Sequence, residues 1–216
     1  MKQILLLSFL FTTSLYSQFD SLLFEKHLSP YKYGVVSLGD QNSDGFDDIL
    51  VYDCKESKAL IFFGGNPMDT IPDWQKTIIQ RSIVAMDANS DSIKDIIIAY
   101  QDTMDSNQKG KVNIYFGGSL LDTIPDIHFE APEWIGKNFG YNSWVINDFD
   151  GDTKSEFMIY DADYPFDDIR QFGIFYIYKS NPVFDTIPYK TIKGDTLNKY
   201  GLYPDNVTIG DLDGDG

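Results

Sequence analysis

The residues best suited to chemistry are carboxylates, and they recur at one spacing. Counted from its first aspartate, one segment carries Asp40, Asn42, Asp44 and Asp48 at positions one, three, five and nine. A second holds Asp87, Asn89, Asp91 and Asp95 at those positions, and a third holds Asp148, Asp150, Asp152 and Glu156. A fourth opens with Asp211, Asp213 and Asp215, and the sequence ends at Gly216 before its ninth position. Alternate side chains along a tight turn converge their oxygens, and the position-seven carbonyls of Phe46, Ile93 and Lys154 can join them. Calcium takes six to eight hard oxygens at about 2.3–2.6 Å, which such a loop supplies. Glycine at position six, as at Gly45 and Gly216, allows the backbone angle of the turn, whereas Ser92 and Thr153 replace it.

The donor set selects the ion. A carboxylate-rich cage with little room for retained water favours Ca2+ over magnesium. Loops without Cys or His disfavour zinc and copper. The competing reading is a metal-free turn, because Asp, Asn and Gly favour turns in any case. Three loops with carboxylates at one, five and nine weigh towards metal. The second site ranks lowest, because it lacks the glycine and Lys94 adds a positive charge beside it. The opening resembles an EF-hand, but an EF-hand needs Glu at position twelve and flanking helices. Position twelve here is Val51, Ile98 and Ile159, each within an apolar run.

Those runs indicate what positions the loops. Strands are expected to enter at Val35–Gly39, Ser82–Met86 and Ser143–Ile146, and to leave at Ile49–Tyr52, Ile96–Tyr100 and Phe157–Tyr160. The leaving strands are apolar without alternation, as in strands covered on both faces. An aromatic third strand follows: LIFFGG at Leu60–Gly65, NIYFGG at Asn113–Gly118, and IFYIYK at Ile174–Lys179 without the glycines. Asp-Thr-Ile-Pro comes next, at Asp69–Pro72, Asp122–Pro125 and Asp185–Pro188, and a fourth strand is expected to begin near it. The leading aspartates Asp40, Asp87, Asp148 and Asp211 stand 47, 61 and 63 residues apart, so insertions separate fixed markers.

A four-stranded unit of about fifty residues cannot cover both its faces alone, but units stacked around an axis can. The expected fold is therefore all-β, a β-propeller of four-stranded blades with calcium-binding loops between strands. The blades fall near 33–79, 80–136 and 137–197, with an incomplete one at 198–216. A β-sandwich is the other all-β solution, but it requires no such periodicity.

Residues 1–17, MKQILLLSFLFTTSLYS, have the form of a secretory signal peptide cleaved after Ser17, and the apolar run is short for an anchor helix. Residues 18–32 read either as a strand closing a last blade or as a leader. A net charge of -16 disfavours nucleic acid and anionic membranes as partners. No membrane insertion is expected after cleavage. Cys54 is the only cysteine, so no intrachain disulfide forms and stability must come from the core or from metal.

Tyr33-Gly34, Phe139-Gly140 and Tyr200-Gly201, each followed by an acidic loop of this pattern, resemble FG-GAP repeats. These repeats, also found as VCBS-type repeats, form the propellers of integrin α-subunits and of many exported bacterial proteins. The resemblance spans Tyr33 to Gly216; the second unit lacks the aromatic-glycine pair. It implies calcium between the first two strands of a blade and adhesion or ligand binding rather than catalysis. It also implies about seven blades, within the range of the fold, so that this chain would be part of a longer protein.

The loops from second to third strand, at 53–58, 101–111 and 161–171, differ in length as partner-reading loops do. The last carries Tyr164, Pro165, Phe166 and Arg170, suited to a protein or carbohydrate ligand. His27 and His128 are the only histidines, neither beside a plausible nucleophile, and no nucleophile elbow or phosphate loop occurs. The expectation is a non-enzymatic recognition module; the alternative is the propeller portion of a larger secreted hydrolase with its catalytic domain beyond Gly216.

Overall fold

The computed structural model describes residues 34–53, 55–65, 68, 71–101, 109–119, 121–132, 138–162, 165–167, 170–171, 173–180 and 183–194. The signal peptide, the 18–32 segment, His27, Cys54, Tyr164 and the fourth loop with Asp211, Asp213 and Asp215 lie outside the described residues.

Every regular element among the described residues is a strand. The first sheet orders β1 (Val35–Gly39), β2 (Asp48–Asp53), β3 (Lys58–Phe62) and β4 (Trp74–Thr77) as neighbours in chain order. The second does the same with β5 (Gln80–Met86), β6 (Asp95–Gln101), β7 (Gly110–Tyr115) and β8 (Ile127–Glu130). The third is built from β9 (Phe139–Ile146), β10 (Glu156–Asp161), β13 (Ile174–Tyr178) and β14 (Lys190–Lys193). All neighbours are antiparallel. Each outermost strand starts two residues after the proline of Asp-Thr-Ile-Pro, where the missing N–H no longer interrupts a ladder.

The expected loop at 161–171 instead contains a short hairpin, β11 (Pro165–Asp167) with β12 (Arg170–Gln171). The third unit also begins earlier than the apolar pattern suggests. Strand β9 pairs with β10 from Phe139 onward, through a register shift that sets Asp161 opposite Phe139 and Tyr160 opposite Asn142. Gly140 lies in that shift at φ 85, a conformation that suits glycine.

The second strands explain their own composition. Ile96 and Ile98 point to the first sheet and share a core with Leu38, Leu50, Tyr52, Ile61 and Trp74. Ile97 and Ala99 point the other way and pack with Phe139, Phe157, Ile159 and Tyr176 of the third sheet. In β10, Phe157 and Ile159 join that core while Met158 and Tyr160 face a separate apolar cluster. Alternate side chains of one strand thus serve two cores, so the strand cannot alternate in polarity. Each fully buried isoleucine contributes roughly 1.5–3 kcal/mol of transfer free energy.

The sheets accordingly stack face to face, first on second and second on third, with strand β5 touching both β1 and β9. The aromatic-glycine pair finds its purpose here. Phe139 is fully buried between sheets, and a Cβ on Gly140 would stand 2.6 Å from the Ala99 Cβ.

Candidate metal centres

Each of the three described acidic loops joins the first two strands of its sheet, at one end of the stack. The backbone turns identically in all three. Position four is left-handed at Ser43 (φ 62), Ser90 (φ 67) and Gly151 (φ 80), and position six at Gly45 (φ 90), Ser92 (φ 72) and Thr153 (φ 73). The turn therefore survives loss of the glycine, at a cost of roughly 1–3 kcal/mol for a β-branched residue at such an angle.

Hydrogen bonds from the chain's own amides hold that shape. Position one accepts the N–H of position six: Gly45 to Asp40 at 2.9 Å, Ser92 to Asp87 at 3.0 Å, Thr153 to Asp148 at 2.8 Å. Position three accepts from position five, in Asn42–Asp44, Asn89–Asp91 and Asp150–Asp152. Position five accepts the N–H of position seven, from Phe46, Ile93 and Lys154. Position nine accepts the N–H of position two, from Gln41 to Asp48, Ala88 to Asp95 and Phe149 to Glu156. In the three described loops the side chains assigned as ligands are thus each held around their turn by at least one backbone N–H. In the first two loops an amide also lies on the position-five carboxylate, Asn42 Nδ2 on Asp44 at 2.9 Å and Asn89 Nδ2 on Asp91 at 3.0 Å.

The third loop differs. Oxygens of Asp148, Asp150, Asp152 and Glu156 all lie within 4.8 Å of one another, a group able to hold a metal ion. Glu156 is fully buried, its Oε2 accepts the Phe149 N–H, and its Oε1 is buried without a hydrogen-bond partner. In the other loops the matching oxygen is satisfied by the glycine after the third strand: Gly64 N–H to Asp48 Oδ1 at 2.6 Å, and Gly117 N–H to Asp95 Oδ1 at 2.8 Å. Only glycine allows that approach. A Cβ on Gly64 would lie 2.5 Å from the Asp47 carbonyl, and one on Gly117 would lie 2.3 Å from that of Lys94. In the third unit Ser180 takes this place and its Oγ donates to the corresponding carbonyl, Ser155 O, at 3.0 Å.

Electrostatics follow this geometry. Burial, reinforced by Asp150, Asp152 and Asp148, pushes the Glu156 carboxyl up to about 7 against the lowering effect of the Phe149 amide. Burial raises Asp95 to about 6, and raises Asp48 as well, partly offset by their two amide donors. A buried carboxyl with an open oxygen among three further carboxylates is a group that a cation would stabilise. The donor set is all oxygen, which fits a hard ion such as calcium.

Neighbouring loops are tied together by residues that the acidic spacing does not reveal. Gln41 is buried; its Nε2 donates to Leu38 O and, across to the second loop, to Lys94 O at 3.0 Å, while its Oε1 accepts the Gly118 N–H at 2.8 Å. The Lys94 ammonium reaches the Ser37 carbonyl of the first sheet rather than its own loop. The cation beside the second loop is instead Lys154, 3.6 Å from Asp87. Lys179 contacts Asp150 Oδ2 and lies 4.3 Å from the centre of the Tyr189 ring. Asp150 raises the Lys179 pKa, which keeps it charged. The missing glycines of IFYIYK were the sequence signal for this divergence.

His128 is structural: its Nδ1 pairs with Asn113 Oδ1 at 2.7 Å, and Asn113 Nδ2 donates to Tyr115 at 3.0 Å. The connections after β2, β6 and β10 leave from the ends of the sheets opposite the acidic loops, and the last carries the β11–β12 hairpin. The chain matches no family model and no curated protein sequence.

Proposed function

We infer that the chain is an exported calcium-binding β-propeller of the FG-GAP type, acting as an adhesion or recognition module. One observation carries the metal reading above all: four carboxylates within 4.8 Å, one of them the fully buried Glu156 with an unpartnered oxygen. Asp148, Asp150, Asp152 and Glu156, with the Lys154 carbonyl, would hold Ca2+ there. The ion would supply the positive charge that this buried group lacks. Asp40, Asn42, Asp44 and Asp48, and Asp87, Asn89, Asp91 and Asp95, share the same turn and would form weaker cages. Stacked four-stranded sheets with β1, β5 and β9 adjacent support the propeller reading.

Metal at one end of the stack stiffens the loops and leaves the other end to a protein or carbohydrate ligand. Among the described residues, the β11–β12 hairpin departs from the repeat at that end. An aromatic and an arginine, Phe166 and Arg170, suit either partner.

Thermal melting with Ca2+ and with chelator tests the metal reading. One site at a hundredfold excess over its Kd adds about 2.7 kcal/mol, or about 5–10 °C for a chain of this size. No shift in Tm overturns the reading. Asp44→Ala is expected to remove the first site and leave the other calcium stoichiometry intact.

A further inference from the structure

The third unit departs from the first two at several places that meet around one ammonium. The strand pairing makes Phe63, Phe116 and Lys179 equivalent, each one residue past the partner of the position-ten residue. Phe63 donates its N–H to Asp73, and Phe116 to Asp126, both at 2.7 Å, and each aspartate follows the Asp-Thr-Ile-Pro proline. In the third unit the residue after that proline is Tyr189, and its ring lies under the Lys179 ammonium at 4.3 Å. Position three changes too, from Asn42 and Asn89 to Asp150, the carboxylate that Lys179 contacts. Apolar to cation, carboxylate to ring and amide to carboxylate are therefore matched substitutions.

Charge shows what the match achieves. The first and second loops each carry three carboxylates at their ligand positions, and the third carries four. One ammonium on Asp150 restores the third to a net three. The side chain of Asp150 is 4% exposed, so its charge cannot be left to water, while Lys179, at 30% exposed, retains a path to solvent.

We propose that Lys179 is a tethered counter-cation of the third loop, holding Asp150 in the metal-free loop and yielding it when a divalent cation enters. This rests on the reading of the loop as a metal cage. Two consequences follow. The loop is kept folded without metal, because the carboxylates are never left wholly unbalanced. The affinity of the third loop is also lowered, because the incoming ion must displace an ion pair seated on an aromatic ring. The third loop is then a responsive site, loaded only at higher free calcium than its carboxylates alone would require.

The test is calorimetric titration of the full chain with calcium chloride, beside melting in chelator. Lys179→Met keeps the length and removes the charge. The expected result is about tenfold or more tighter binding at one site, from loss of a charge-assisted contact, with a lower Tm in chelator than the native chain. Tyr189→Leu alters only a half-exposed ring and leaves folding safe. It is expected to tighten the same site about threefold, as the ammonium loses its seat. Glu156→Gln identifies the third site by abolishing it. If that variant loses a site but both Lys179→Met and Tyr189→Leu bind calcium as the native chain does, the counter-cation role is overturned and the metal reading stands. If native and Glu156→Gln isotherms coincide, the metal reading of the third loop falls, and the proposal with it.

Discussion

The first two acidic loops and the third share a backbone but divide the same task differently. In the first two, both oxygens of the ninth-position aspartate accept an amide N–H, one from its own loop and one from a glycine at the end of the third strand. In the third, serine displaces the glycine, glutamate displaces aspartate, and one buried oxygen is left open beside three more carboxylates. The ninth-position carboxylate can therefore be satisfied by the chain's own amides or left with an open oxygen, and the difference lies both in that residue and in one beyond the third strand. The junctions differ as well. The first and second loops are joined by buried Gln41, the second and third by a partly exposed Lys154–Asp87 pair.

Transplanting the third unit's residue should break the contrast most strongly. Gly117→Ser sets a Cβ against the Lys94 carbonyl, 2.3 Å away, and against Gln41. A loss of about 3 kcal/mol is expected in denaturant unfolding, at the upper end for overpacking, whereas Ser180→Gly should cost less than about 1 kcal/mol.

The junctions come next. Gln41→Ala strips partners from two carbonyls and one amide in a buried setting, and about 2 kcal/mol of stability should be lost. Lys154→Ala, at a partly exposed pair, should cost about 0–1 kcal/mol. Equal losses in the two variants would erase the difference between the junctions.

Acid sharpens the comparison of the carboxyls. Glu156, pushed up to about 7, and Asp95, to about 6, hold their protons in the folded chain at pH values where the unfolded chain has released them. Their contribution is fully present below the unfolded values, near 4, and is lost as pH rises through the folded ones. Without metal, Tm should therefore fall between about pH 4.5 and 7.5 by their action, and Glu156→Gln should flatten the upper part of that slope. If the third loop holds Ca2+ as proposed, saturating Ca2+ should abolish the upper slope, the ion taking the place of the proton on Glu156.

Position six offers a comparison of single residues. Thr153→Gly relieves a β-branched residue at φ 73 and should stabilise by about 1 kcal/mol, whereas Gly45→Thr should destabilise by as much or more. A melting curve for each distinguishes them.

Much of the architecture was legible in the chain. Unbroken apolar runs such as Ile96–Ile98 announced strands covered on both faces, because side chains alternate between two cores and both are dry. The repeat of acidic turns placed each loop between the right pair of strands. The hairpin at 165–171 is not legible in the sequence, because two- and three-residue strands leave no periodicity to read. Lys94 is a related case: adjacency in sequence points to its own loop, yet its long side chain reaches Ser37 in the neighbouring sheet.

Sequence by itself therefore determined the strands, their order within a sheet and the carboxylate turns, since these depend on local spacing and on polarity along the chain. Tertiary structure alone decided which groups reach the carboxylates from outside their own loops. Gln41, Lys154, Gly64, Gly117 and Lys179 act across strands or sheets, and electrostatic and hydrogen-bond partners are set by distance in space, which local sequence does not encode.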